Sequence, residues 1–135
     1  MALRLADGTA WQETLARAVQ AAPEAFDLDA RPGGIVTLRN LIEGTWQSIG
    51  IPTAVRTPVD NTELVNLPRL DAEAARSAVA FAAAEHRDWA ATPLVDRKAR
   101  VVAALDELTL HRDLLALLLV WEIGKPWRLA CADVD

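Results

Sequence analysis

Cysteine is almost absent from this chain. Cys131 is its only one, which excludes an internal disulfide and any multi-cysteine zinc site and suits a reducing compartment. Positive charge is scarce as well: 14 Lys and Arg stand against 19 Asp and Glu, the net charge is -5 and the pI is about 5.0. No basic face is therefore expected for nucleic acid or an anionic membrane surface. Long helical apolar runs are missing too. Segments 77–84 and 114–121 hold eight residues each, far short of the roughly 20 that a membrane-spanning helix needs. The N-terminus, MALRLADGTAW, places Asp7 and Gly8 where a secretory signal would carry its apolar centre. Together these absences predict a soluble cytoplasmic protein with neither nucleic acid nor membrane as partner.

What is present is apolar material, 52% of 135 residues, enough to close the core of one domain. Residues 9–22 predict a helix: Thr9 and Gln12 form a capping box, Trp11, Leu15, Ala18 and Ala22 share a stripe, and Pro23 stops it. The stretch PEAFDLDARPGG then reads as a linker, because two prolines and a Gly-Gly pair break any period. Segments 35–47, 53–57 and 63–67 carry Ile35, Val36, Ile42, Val55 and Val65 between turn residues, and predict a small antiparallel meander.

Beyond Pro68 the pattern is helical. Asp71 caps a helix reaching about Trp89, with Ala75, Ala78, Val79, Ala82 and Ala83 on one closely packing face. Thr92 caps the next, with Pro93 at its first position. It runs to about Ile123, roughly 45 Å at 1.5 Å per residue. Its stripe is Val101, Leu105, Leu108, Leu115 and Leu119, interrupted by Arg112.

The stretch VWEIGKPW, residues 120–127, invites comparison with a phosphate-binding loop. Such a loop needs a preceding strand and several glycines with converging N–H groups, whereas here a helix precedes and one glycine is available. Gly124 is read as a helix stop in the left-handed conformation, Lys125 as a solvated or helix-end cation, and Pro126 as the opening of another helix. That helix runs to Asp135 with no terminator and two acids at its end, the pattern expected of a cut chain.

Other candidates for chemistry read as structural. Cys131 lies mid-helix among Leu129, Ala130 and Ala132, without the cationic setting or nearby base that a reactive thiolate needs, and is expected to pack. His86 and His111 each sit beside an arginine on an exposed-looking face. Arg97, Lys98 and Arg100, with Asp96 four residues before Arg100, form an ordinary charged helix face. Trp46, Trp89, Trp121 and Trp127 are expected as core anchors.

The order of motifs resembles the N-terminal portion of the aldehyde dehydrogenase superfamily over about residues 38–135. NLIEGTW, residues 40–46, is similar to the family's early strand. TPVDNTELVNLP resembles its Asn-Pro turn and following strand, with Thr57 in place of the usual Asn and Asn61 or Thr62 in place of the turn glycine. The stretch from Asp71 to Leu108 resembles the family's first two helices with a tryptophan corner at Trp89. WEIGKP resembles the acid-x-Gly-Lys-Pro junction.

The resemblance implies an α/β family fold of which this chain supplies an N-terminal part, mostly helical with a small meander. Residues 1–37 would be an extension with one amphipathic helix and a linker, and 38–135 a truncated segment of the cofactor-binding domain. It also implies oxidation of an aldehyde to a carboxylic acid through a cysteine thiohemiacetal, with hydride passing to NAD or NADP and a glutamate base aiding hydrolysis. The residues that carry those steps in the family lie beyond the resembling stretch, so the chain alone is expected to be inactive and to bind no dinucleotide. Lys125-Pro126 is not the family's later ribose-holding Lys-Pro pair. One binding role does land on residues present: Val55 and Arg56 carbonyls and the Glu122 carboxylate correspond to the family's monovalent-cation ligands. The expected partners are the remainder of the enzyme or a second copy, drawn by the 93–123 apolar stripe. A reading from another class is a free-standing helical interaction module derived from such a segment.

Overall fold

The computed structural model describes residues 10–135, and among them the chain is mostly helical with a small mixed sheet. Helix α1 spans Trp11–Ala21. Its apolar positions recur at helical spacing, so Trp11, Thr14 and Ala18 are buried together with half-buried Leu15. The expected capping box is not its start. Ala10 is the N-cap and makes no side-chain bond, while Thr9 lies outside the described residues.

The stretch expected as a linker is structured. Short helical turns at Pro23–Ala25 and Pro32–Gly34 flank β1 (Phe26–Asp27), and Phe26 and Val36 are buried in the core. The signal missed was local: single apolar residues between turn formers anchor a segment without any period. Asp27 fixes this corner. The Ser48 hydroxyl, the Ala30 N–H and Arg39 hold its carboxyl below the usual range.

The expected strand 35–47 is three strands: β2 (Thr37–Leu38), β3 (Asn40–Ile42) and β4 (Thr45–Gln47). Glu43 and Gly44, both at positive φ, fold β3 onto β4 in a tight hairpin. Asn40 ties the hairpin to the remaining sheet by donating to Ile49 O (2.9 Å) and Pro68 O (3.0 Å).

The larger sheet has the order β1-β2-β6-β5, with β5 at Ile51–Arg56 and β6 at Glu63–Arg69. β1/β2 and β5/β6 are antiparallel, but β2 and β6 run parallel, so the arrangement is not a pure meander. The parallel pairing comes from the hairpin, which carries the chain away before it returns. Buried Asn66 stabilises the parallel seam, its side-chain amide donating to Ile35 O at 3.1 Å and Pro32 O at 3.3 Å.

Helix α2 (Ala72–Ala91) starts as expected, with Asp71 accepting from the Glu73 and Ala74 N–H groups. Thr92 does not cap the next helix. Its hydroxyl donates back to Asp88 O at 2.9 Å, closing α2, and Pro93 occupies the N-cap.

The expected continuous helix to Ile123 is broken. α3 covers Leu94–Leu110 and α4 covers Arg112–Ile123, with His111 between them at φ -102 and ψ 14, outside the helical well. The break falls where the burial demand changes. α4, LLALLLVW after Arg112-Asp113, is apolar all round and needs neighbours on several sides, whereas no residue of α2 or α3 is buried. Arg112 turns at the break to bond Asp113 and Asp135, which raises its own pKa and lowers that of Asp135.

α4 is the centre of the core. Trp121 is 2% exposed, and its Nε1 donates to Thr14 Oγ1 at 3.2 Å. Trp11 packs edge-on against it, centroids 6.1 Å apart, and donates to Leu64 O at 3.0 Å. On the other side α5 (Trp127–Val134) brings Ala130 against Ala116 and Val120. Among the described residues, no helix is long and apolar enough to cross a membrane.

Candidate functional site at the Gly-Lys-Pro junction

Two segments highlighted by sequence meet in space: the β5–β6 turn and the α4–α5 junction. In the turn, Thr57 is almost fully buried. Its N–H donates to Thr62 O and its carbonyl accepts from the Asn61 N–H, each at 3.0 Å, while its Oγ1 accepts from the Val59 N–H at 3.3 Å. A threonine hydroxyl thus does the local bonding expected of an asparagine there. Asn61 takes φ 64, the left-handed conformation anticipated for the residue replacing glycine.

At the junction, Gly124 adopts φ 68 and ψ 24 as the left-handed stop of α4. A Cβ at this position would lie 3.1 Å from Pro58 Cγ, so glycine serves both the conformation and the close approach of the turn.

Three groups at the junction are unavailable to a nucleotide phosphate. The Gly124 N–H is spent on Val120 O, Pro126 has no N–H, and the Lys125 ammonium is paired with Asp133. Arg100 stacks over Trp89, 5.9 Å from the ring centroid, in the corner between α2 and α3.

Of the three expected cation ligands, two share a place. Val55 and Glu122 both border a cavity of about 240 Å³ between α1, the sheet and α4. The Arg56 side chain turns elsewhere, to Glu63 and to Asn61 O at 3.0 Å, and a bulge separates Val55 from Arg56 in the ladder. Glu122 has no hydrogen-bond or ion-pair partner among the described residues, since Lys125 is taken by Asp133. Among those residues, no three His, Cys, Asp or Glu side chains cluster to hold a metal ion.

Cys131 rests half-buried against the Ala116, Val120 and Ala130 cluster, a packing position. His86 is exposed, and half-buried His111 marks the α3–α4 break. Of the tryptophans expected as anchors, Trp121 is one, but Trp46 and Trp127 are exposed, with no described element covering the hairpin or the outer face of α5. The anchor that sequence reading placed only on a helix stripe, Trp11, is the partner of Trp121.

The turn packed on the Gly-Lys-Pro junction, with α2 and α3 between them in sequence, lies within the stretch matched by the aldehyde dehydrogenase family profile, residues 47–135. The chain belongs to the aldehyde dehydrogenase family. The match begins just after Trp46, so α1, β1, β2 and most of the β3–β4 hairpin precede the family segment and nevertheless supply Trp11, Thr14, Phe26 and Val36 to its core. No curated protein matches the chain.

Proposed function

We propose that this chain acts as the N-terminal scaffolding segment of an NAD(P)-dependent aldehyde dehydrogenase, within the α/β cofactor-binding domain, and supplies no reacting group to the oxidation of aldehyde to carboxylic acid. The observation that carries the reading is the place of its one thiol. Cys131 sits half-buried in the α4–α5 contact against Ala116, Val120 and Ala130, a packing position, and His86 and His111 lie on other helices, α2 and the α3–α4 break. NAD or NADP accepts hydride in the family's reaction, and the residues at Gly124–Pro126 do not fit its phosphates. What the chain contributes is a rigid frame: the β5–β6 turn locked on the junction, and α2 and α3 held out with apolar side chains free for a covering element. An assay of aldehyde-dependent NAD(P)H formation tests this. The expected result is no turnover; turnover abolished by Cys131→Ser would overturn the reading.

The Val55 and Arg56 carbonyls with Glu122 remain proposed ligands for a monovalent cation, supported by the shared cavity of Val55 and Glu122 and by the negative end of α4 beside it. Melting in potassium, sodium and a bulky organic cation at equal ionic strength is the check. Selective stabilisation by an alkali cation, lost in Glu122→Gln, is expected; equal melting in all three salts would remove the site. The bare α2–α3 face also suits a helical interaction module, which binding to a protein other than a dehydrogenase chain would favour.

A further inference from the structure

The cavity beside Glu122 is built jointly by the N-terminal extension and the family segment, and the cation role proposed above involves only its Val55 and Glu122 edge, not its apolar wall. Trp11, Leu15 and Phe26 come from the extension, Leu64 and Leu118 from the family segment, and Glu122 is the one charged lining residue among the described residues. Protein cores rarely keep voids larger than a water molecule, and an apolar chamber is a poor host for ordered water, which needs two to four polar partners. This pocket of about 240 Å³ is partly open to solvent at Leu67 and Glu122, and its apolar lining with one carboxylate at the mouth suits a small organic ligand. For scale, an engineered apolar cavity of about 150 Å³ takes up benzene, so there is space here for an aromatic ring with a short alkyl arm. The walls are fixed. Leu64 O is bonded by Trp11, and Val55 and Val65 are paired in the β5–β6 register.

The carboxylate of Glu122 decides the polar end. It has no partner among the described residues, and it sits exposed at the end of α4, where the helix's own carbonyls add negative potential. An ammonium needs a single counter-charge and can leave its apolar body in the chamber. We propose that this cavity binds a small apolar monoamine, an arylalkylamine in size, with its ring among Trp11, Leu15, Phe26 and Leu118 and its ammonium on Glu122.

The proposal stands on the cavity and does not depend on the dehydrogenase reading. Calorimetric titration of the full chain with phenethylamine, ethylbenzene and 3-phenylpropanoate tests it, with circular dichroism confirming that each variant keeps its helicity. Saturable binding of phenethylamine is expected, with ethylbenzene weaker and 3-phenylpropanoate not binding. Glu122→Gln is expected to weaken the amine about tenfold, the scale of one charge-assisted contact, and to leave ethylbenzene unchanged. Leu15→Trp, which fills the chamber, is expected to abolish both. No saturable binding of the amine, amine affinity unaltered in Glu122→Gln, or equal affinity for 3-phenylpropanoate would each overturn the proposal.

Discussion

At the scale of single residues, the core turns on a pair of indoles whose N–H groups are both satisfied, one by a carbonyl of β6 and one by a threonine of α1. A buried tryptophan with a bonded N–H contributes both area and a polar constraint. Trp121→Ala removes both and leaves a void that α1 and β6 cannot collapse into. The expected loss is about 3–5 kcal/mol, read from chemical denaturation, and a loss under 1 kcal/mol would show that the pair is not the centre of the core. Sequence reading identified Trp121 as an anchor and Trp11 as part of a stripe, but not their contact, because the two lie on elements over a hundred positions apart. It assigned Thr14 no role. A threonine inside a helix carries no mark of the indole it will accept from. By contrast, Asp71, Gly124 and Asn61 were legible, since capping and left-handed backbone are set by one residue and its immediate neighbours.

At the scale of elements, the boundaries that sequence reading missed share a cause: they depend on what each segment packs against. Residues 93–123 carry unbroken helical periodicity, yet the helix breaks at His111, since α4 is drawn into the core between α1 and α5 while α3 is not. The supposed linker and the single strand 35–47 became β1 to β4 for the same reason, one apolar residue at a time. The Gly-Lys-Pro junction behaves differently. Its form follows from Gly124, which ends α4 and admits Pro58. Gly124→Ala forces a side chain into the left-handed region and against that proline. The variant is expected to lose at least about 1–2 kcal/mol, measured by thermal or urea unfolding. Unchanged stability would mean that the turn and the junction are not locked together.

At the scale of the whole molecule, the chain exposes 9133 Å², whereas a compact monomer of its 14.7 kDa would expose roughly 6,900 Å². The difference exceeds the roughly 800 Å² that one partner gives to a standard interface. Much of the apolar exposure lies on α3, where Val101, Leu105 and Leu108 are each at least half exposed. The α3 part of the sequence stripe, Val101, Leu105 and Leu108, is thus left uncovered among the described residues, and we propose that a partner or the remainder of the enzyme covers it. Sedimentation of the isolated chain is expected to show concentration-dependent association that Leu105→Glu reduces. A monomer at all concentrations that binds no hydrophobic dye would contradict it.

An aldehyde dehydrogenase family segment here shares its core with the residues that precede it, and we propose that the chain by itself binds no dinucleotide. Titrating NAD and NADP against the fluorescence of the five tryptophans tests that most directly, because Trp121 and Trp127 flank the Gly-Lys-Pro junction and Trp89 marks the α2–α3 corner. The account predicts no saturable change in the micromolar range, and saturable quenching by either dinucleotide at micromolar concentration would contradict it.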